Sequence, residues 1–210
     1  MYPARVRSRL LLDIGEGKGV LGLRFGMTGR LLVDGSACVE RLLYAPARSS
    51  PAYERFVARF ADGGTLAVSD PRRLGGVELD PDEERLGPDA LAVTLADLRA
   101  ALAGSHAPLK ARLLDQSRLA GVGNLSADEI LWRAGLSPLR PAGQLSPSAM
   151  RRLHTHLCSG LADLIERGGS HMGDLGPSRR RSGSCPRDGT PLARATVGGR
   201  TTWWCPRHQK

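Results

Sequence analysis

Short apolar runs separated by glycine, aspartate and proline fill the first half of the chain. Runs of this kind, rich in leucine and β-branched residues and repeating about every ten residues, are typical of an antiparallel sandwich or barrel. The predicted strands span residues 10–14, 20–25, 30–34, 38–44, 55–60 and 65–69. Asp70-Pro71 ends the last of these strands, and the acidic, proline-rich stretch 75–90 is predicted as an irregular surface connection.

From Thr94 onward the apolar positions recur at three- and four-residue steps, which predicts helices. Thr94 and Asp97 form a cap-like pair at the start of the first helix, and Ser146-Pro147 is a typical start for the last one. The predicted helices span 95–103, 110–118 and 125–134, and a fourth begins at Ser146-Pro147. The fourth helix has one apolar stripe and therefore one buried face.

Two segments at the C-terminal end of the chain differ in composition from the helical region before them. Residues 169–184 are rich in glycine, serine and arginine and are interpreted as a flexible linker, and 185–210 form a separate small unit. We therefore predict an α+β protein with a β-sandwich domain at 1–90, a helical domain at 91–168, the linker 169–184 and a metal-binding hairpin at 185–210.

Composition and charge narrow the function classes. The 210 residues contain 41% hydrophobic positions, which is enough for a folded core, and no apolar run is long enough to span a membrane. The start of the chain is not a secretory signal, which predicts a cytoplasmic bacterial protein. Residues 1–104 carry 14 basic and 14 acidic side chains, whereas 105–210 carry 16 basic and 7 acidic ones. A basic C-terminal half indicates a polyanionic partner, most simply nucleic acid, although a merely solubilising surface stays an alternative.

The terminal segment has metal-ligand spacing. Cys185 and Asp188 form a C-x2-D pair, and Cys205 and His208 form a C-x2-H pair on the other side of a Gly-Gly turn. Two such pairs can surround one zinc ion, which then replaces a core that is too small to fold alone. The alternative is two unrelated loop cysteines, and aspartate is the less common of these ligands.

Three further short patches are candidates for contacts with nucleic acid. The turn Gly121-Val122-Gly123-Asn124 leads into a predicted helix, whose N-terminal N–H groups can bind a phosphate, although such turns often only redirect the chain. In the first half, the hairpin 26–29 carries Met27 at its tip, and the loop 70–76 carries Arg72 and Leu74. An exposed apolar tip beside arginine suits a wedge in DNA, whereas a buried methionine and solvated arginines are the plainer alternative.

Taken in order, these motifs resemble the formamidopyrimidine-DNA glycosylase and endonuclease VIII family of base-excision repair enzymes. The resemblance runs from about Arg5 to Lys210. The motifs that carry it are Leu10-Leu11-Leu12-Asp13, Gly26-Met27-Thr28-Gly29, Asp70-Pro71-Arg72-Arg73, Gly121-Val122-Gly123-Asn124 and the segment from Gly199 to Cys205 with its terminal zinc pair. It implies a helix–two-turn–helix element in the helical domain, and a monomer that binds duplex DNA with oxidised or abasic lesions and excises oxidised purines.

The resemblance also implies roles for single residues. Met27 would fill the void left by a flipped-out nucleotide, Arg72 would reach the orphaned base, and Leu74 would stand where relatives often carry an aromatic wedge. Gly123 and Asn124 would hold phosphates near the lesion.

Three further implications concern the C-terminal half. Lys110 would add another backbone contact. Arg200, at the hairpin tip, would bind the lesion phosphate and assist the elimination step. Cys185, Asp188, Cys205 and His208 would hold one structural zinc ion, for which many relatives use four cysteines.

The start of the chain departs from the family pattern. Relatives use an N-terminal Pro amine as nucleophile and the following Glu as acid–base partner, whereas this chain begins Met1-Tyr2-Pro3-Ala4. A lysine that helps elimination in relatives would fall at Ser8. We therefore expect an N-terminal segment that is shorter than in relatives. The β-sandwich would then have an exposed sheet edge, which predicts lower stability and some aggregation.

Three functional hypotheses follow. The chain is a glycosylase and AP lyase of the family, or a non-catalytic binder of damaged or abasic DNA, or a zinc-ribbon RNA-binding or ribosome-associated protein.

Overall fold

The computed structural model describes residues 10–15, 17–26, 28–37, 50–82 and 84–210. It divides into two compact units, Met1–Glu83 (the N-terminal unit) and Glu84–Lys210 (the C-terminal unit). The four-segment division drawn from the sequence stays an interpretation.

The N-terminal unit contains two antiparallel sheets. One has the strand order β1-β2-β7 and the other β4-β3-β6-β5. The strands are β1 Leu10–Asp13, β2 Val20–Arg24, β3 Arg30–Val33, β4 Ser36–Ala37, β5 Glu54–Arg59, β6 Thr65–Ser69 and β7 Gly76–Leu79. Leu23 of the first sheet shares one apolar core with Leu66 and Val68 of the second, as expected for a sandwich.

The structure changes two of the strand predictions. Gly76–Leu79, predicted as irregular, is strand β7 because it pairs with β2 in the register Leu21↔Leu79 to Arg24↔Gly76. With only two apolar residues it is too short for a periodicity signal, and only the partner strand reveals it. The short strand Ser36–Ala37 was also not predicted, and the predicted strand at 38–44 lies outside the described residues.

The C-terminal unit is built around four helices. They are α1 Leu95–Leu102, α2 Leu109–Leu113, α3 Asn124–Ala134 and α4 Pro147–Glu166. Thr94 and Asp97 form the predicted capping box, and Ser146 caps α4 by accepting the N–H of Ala149. The buried faces of the helices form one core that includes Leu98, Ile130 and Leu153. This confirms the predicted stripe of α4 except at Ile165, which was predicted as part of the stripe and is 61% exposed near the end of the helix.

Helix α2 is shorter than the predicted 110–118. After Leu113 the side chains of the next residues take over the backbone hydrogen bonds. Asp115 accepts the N–H of Ser117, and Gln116 donates to the carbonyls of Leu114 and Val122. Such local side-chain bonds compete with a continuing helix, so the chain turns here toward α3.

The segment 169–184 packs against α3 instead of only connecting two domains. It contains 3-10 turns at Ser170–Met172 and Gly176–Ser178. The Glu129 carboxylate accepts the N–H groups of Asp174 and Leu175 at 3.1 and 2.8 Å, and Leu175 is fully buried. The chain ends in the hairpin of β8 Ala193–Val197 and β9 Arg200–Trp204, in the same compact unit as the helices. Across the part of the chain that the structure describes, no helix is apolar and long enough to cross a bilayer.

Candidate nucleic-acid interface and metal centre

The turn between α2 and α3 presents Asn124 at the start of a helix. Gly121, with φ of +99°, makes a turn that a side chain would strain, and Gly123 is the N-cap residue. The predicted helix began at residue 125, which placed Asn124 before it as the cap, but Asn124 is the first helical residue. Ser126 supplies the capping bonds by accepting the N–H of Gly123 and donating to its carbonyl, which leaves the Asn124 side chain available for another role.

Lys110 lies inside the protein, directly beneath Asn124. Its ammonium is fully buried and donates to Asn124 Oδ1 at 2.7 Å, Thr202 Oγ1 at 2.9 Å and the Thr201 carbonyl at 3.1 Å, and it pairs with Asp128 at 2.8 Å. Burial lowers the pKa of Lys110, although the Asp128 carboxylate opposes this effect. The sequence analysis expected a direct phosphate contact. The Lys110 ammonium faces inward and bonds Asn124, and its expected contact with a phosphate stays a prediction.

Asp128 is the centre of this buried cluster. Its Oδ2 accepts two N–H groups of Arg179 at 3.0 and 2.8 Å and the backbone N–H of Trp203 at 3.1 Å, while its other oxygen faces Lys110. One carboxylate thus joins α2, α3, the segment after α4 and strand β9. We call Lys110, Asp128, Arg179 and Asn124 the buried ion cluster.

Arg200 lies at the tip of the C-terminal hairpin and is exposed. The tip is formed by Gly198 and Gly199, whose φ values of +57° and +70° lie in the left-handed region that favours glycine. A side chain at position 198 would come within 3.2 Å of Ala111, so the hairpin tip lies close against α2. Thr201 and Thr202, which follow Arg200, are the residues that Lys110 contacts. The buried ion cluster therefore places Asn124 and Arg200 on neighbouring elements.

The four predicted metal ligands come together at the other end of the hairpin. One ligand atom from each of Cys185, Asp188, Cys205 and His208 lies within 4.8 Å of the others. His208 Nδ1 is 3.7 Å from Cys185 Sγ and 3.3 Å from Asp188 Oδ2, and Cys205 Sγ is 3.5 Å from that oxygen. A tetrahedral zinc ion with bonds of about 2.0–2.3 Å needs edges of about 3.3–3.8 Å, so this donor set fits.

Neighbouring groups orient these donors. The Trp132 indole N–H donates to Cys185 Sγ at 3.3 Å, and the other His208 nitrogen is 3.3 Å from the Trp132 carbonyl. Hydrogen bonding by Thr190 keeps the pKa of Asp188 well below its usual range, so this carboxyl is ionised at neutral pH. Oriented second-layer partners of this kind are usual around protein metal ions.

In the N-terminal unit, Arg72 and Leu74 are exposed on the loop that follows Asp70. The Asp70 carboxylate is 1% exposed and accepts bonds from Thr28 and from three N–H groups of this loop. Burial acts to raise the pKa of Asp70, but these four bonds outweigh it and the pKa is lowered. A lowered folded-state pKa means that this contribution to stability is present above the unfolded value and is lost as the pH falls through the folded value. Met27 lies outside the described residues.

Comparisons with known proteins decide the family. The family model described as the formamidopyrimidine-DNA glycosylase N-terminal domain matches residues 4–77, and the H2TH domain model of the same enzymes matches 86–175. A formamidopyrimidine-DNA glycosylase of Thermus thermophilus is 36% identical over 229 residues, which cover 97% of this chain and 80% of the relative. One of Paracoccus denitrificans is 33% identical over 98% of this chain and 81% of its own length. The chain belongs to the formamidopyrimidine-DNA glycosylase family.

Solved structures of this family share the fold. The Lactococcus lactis glycosylase in complex with DNA that contains FAPY-dG matches with a TM-score of 0.79 and 26% identity, over 99% of this chain and 80% of that one. The Thermus thermophilus enzyme matches with a TM-score of 0.77 and 33% identity, over 98% and 81%. Formamidopyrimidine-DNA glycosylases are DNA N-glycosylases and AP lyases, so the comparisons favour this enzyme class over the RNA-binding alternative.

Within this glycosylase fold, sequence reasoning assigned no role to four residues that organise the candidate regions, two in each unit. Asp128 and Arg179 close the buried ion cluster, and Asp70 and Thr28 hold the loops of the N-terminal unit. Asp128 had a detectable signal, since it is a charged residue on the apolar side of a helix whose neighbours Ala127 and Ile130 are buried. No such signal marked Arg179, because it lies in an arginine-rich stretch of the kind that is typical of a solvated surface.

Proposed function

We propose that this chain acts in base-excision repair as a glycosylase and AP lyase that removes oxidised purines, with 8-oxoguanine and formamidopyrimidine as the substrate bases. The observation that carries the proposal is the match of both family domains along nearly the whole chain. The basic excess of residues 105–210 supports binding to the phosphate backbone. Action as a cytoplasmic monomer stays a prediction.

Borohydride trapping on a duplex with an abasic site tests the catalytic part of this proposal. The enzyme should form a covalent adduct, because a lyase of this class attacks the sugar C1′ with an amine and the resulting imine is reduced by borohydride. The attacking amine in this proposal is the N-terminal α-amino group of the chain, because the Lys110 ammonium is buried and ion-paired. An intact duplex of the same sequence is the control. Selective binding of the damaged duplex without any adduct would favour the non-catalytic hypothesis.

Residue roles at the DNA are part of the same proposal. Asn124 supplies its amide N–H groups to a phosphate, while Lys110 holds the amide oxygen at 2.7 Å from inside. Arg200 contacts the lesion phosphate from the hairpin tip and assists elimination, and Gly123 lets the phosphate approach the helix start. Arg72 contacts the orphaned base and Leu74 packs beside it. Met27 is assigned to the void left by the flipped nucleotide.

Removing the Arg200 side chain should weaken DNA binding in a salt-dependent way. For Arg200→Ala, the slope of log K against log salt should become shallower by about 0.9, the value expected for one lost phosphate contact. Fluorescence anisotropy at several salt concentrations measures this slope. Arg207→Ala removes the same charge from an exposed position at the metal end of the hairpin and should change the slope less. Equal slopes for Arg200→Ala and the unmodified chain would remove Arg200 from the interface.

The metal in this proposal is one structural zinc ion held by Cys185, Asp188, Cys205 and His208. The ion would supply no reacting group. It would fix the base of the hairpin against Trp132 of α3, and thereby hold Arg200 at the opposite end of the same two strands.

A further inference from the structure

The hairpin 25–29 and the loop 71–75 of the N-terminal unit are in direct backbone contact. A Cβ atom added to Gly26 would lie 2.8 Å from Leu74 Cβ and 2.9 Å from the Leu74 carbonyl carbon. A Cβ atom on Gly75 would lie 2.5 Å from the carbonyl oxygen of Arg24, the residue that leads into the hairpin. Distances this short leave no room for a side chain, so the two segments pack as one body.

One buried carboxylate joins these two segments. Asp70 Oδ1 accepts the hydroxyl of Thr28 at 2.5 Å and the N–H of Arg72 at 3.2 Å. Its Oδ2 accepts the N–H groups of Leu74 and Gly75 at 2.6 and 2.7 Å. Thr28 is fully buried and Asp70 is 1% exposed, so water cannot replace these bonds without moving the chain.

The loop needs this support because its backbone is not in a relaxed conformation. Arg73, between the two candidate DNA-contacting residues of the loop, has φ of +57°, which is costly for a residue with a Cβ atom. The N–H bonds from both sides of Arg73 to one carboxylate hold it there. Arg55 adds a bond from its Nε to the Asp70 carbonyl at 2.9 Å.

We propose that Asp70 and Thr28 are positioning residues for lesion recognition, which fix the hairpin that carries Met27 and the loop that carries Arg72 relative to each other. This inference rests on the proposed function, which assigns Met27 and Arg72 to the void and to the orphaned base. The described residues that flank Met27 in sequence are Gly26 and Thr28, and both belong to the contact. Because one carboxylate bonds both segments, a shift of either segment displaces the other.

The test compares variants of Thr28 in the full chain. Binding is measured to duplexes that carry an abasic analogue opposite each of the four bases, and to the intact duplex of the same sequence. Thr28→Val keeps the shape of the side chain but removes the hydroxyl, and Thr28→Ser keeps the hydroxyl but removes a buried methyl group. Thr28→Val should lose about tenfold of the preference for the damaged over the intact duplex, the factor that corresponds to one hydrogen bond to a charged group. Thr28→Ser should retain the preference. A purely structural role would not spare Thr28→Ser, because removing its methyl group also costs stability.

Asp34→Asn is the matched control for Asp70→Asn. Asp34 likewise accepts a threonine hydroxyl, from Thr65 at 3.4 Å, and the backbone N–H of the same residue at 2.7 Å, but it lies in the turn after β3. Asp70→Asn should lower lesion preference and Asp34→Asn should not. Equal preference in Asp70→Asn, Thr28→Val and the unmodified chain would overturn the inference.

If Thr28→Val also lowers the melting temperature, a double-mutant cycle distinguishes a positioning role of Thr28 from a general loss of stability. In the Arg72→Ala background, Thr28→Val should cause little further change in opposite-base dependence, since the group that it positions is gone. Full additivity of the two changes would overturn the inference. An unmodified chain that does not distinguish damaged from intact duplex would instead refute the proposed function, which separates the two failures.

Discussion

Asp128→Ala should reduce the free energy of unfolding of the C-terminal unit by about 3–5 kcal/mol, the usual cost of removing one partner of a buried ion pair. The substitution leaves the Lys110 ammonium, which is 0% exposed, beside an apolar methyl group, and it releases Arg179 and the N–H of Trp203. Urea unfolding followed by tryptophan fluorescence measures the loss, since Trp132 and Trp203 lie in this unit.

Asp128→Ala should also weaken DNA binding. Without Asp128, Lys110 has no fixed counter-charge, and its bonds to Asn124 and to Thr201 no longer hold the two elements in register. The segment around Arg179 also loses its anchor on α3. We therefore expect weaker binding to an abasic duplex even at temperatures where the variant is folded.

Two further variants make this prediction specific. Asp163→Ala removes a carboxylate that is 37% exposed, and its two arginine partners retain other carboxylates, since Arg133 still pairs with Glu129 and Arg167 with Asp174. Its effect should therefore be much smaller. Adding Lys110→Met to Asp128→Ala should recover part of the stability, because the unpaired buried charge is then absent. If Asp128→Ala were as stable as Asp163→Ala, the cluster would not carry the stability assigned to it.

Metal removal should have the second large effect. A strong zinc chelator, or Cys205→Ser, should lower the melting temperature by roughly 10 °C, since a domain of this size loses about 3–5 °C per kcal/mol and the ligands would lose several kcal/mol of binding energy. The hairpin should lose its fixed base, because Cys185 and Cys205 have few apolar neighbours apart from Trp132, Leu175 and Leu192. DNA binding through Arg200 should weaken in parallel.

Elemental analysis and a melting curve check this prediction together. The native chain should contain about one zinc ion, and chelation should change the fluorescence of Trp132, whose indole N–H donates to Cys185. Cys158→Ser is the matched control, because this half-buried cysteine on α4 lies outside the ligand cluster. A metal-free chain with an unchanged melting temperature would exclude a structural zinc ion.

The local patterns of the sequence determined the type of each long element. The short apolar runs predicted β2, β3, β5 and β6 nearly to the residue, and the Thr94–Asp97 pair and Ser146-Pro147 marked two helix starts. The C-x2-D and C-x2-H spacing identified four candidate metal ligands, and the structure brings these side chains together. These features are short-range, since apolar runs, caps and ligand pairs depend on residues within a few positions of one another.

Features that depend on contacts between residues far apart in sequence were decided only by the tertiary structure. Strand β7 exists because β2 is beside it, and helix α2 ends early because Gln116 reaches across to Val122. Lys110 looked like a surface cation, and it is buried because Asp128, eighteen positions later, and Thr202, ninety-two positions later, surround its ammonium. A buried charge is stable only with its partners in place, and no local pattern encodes partners so distant in sequence.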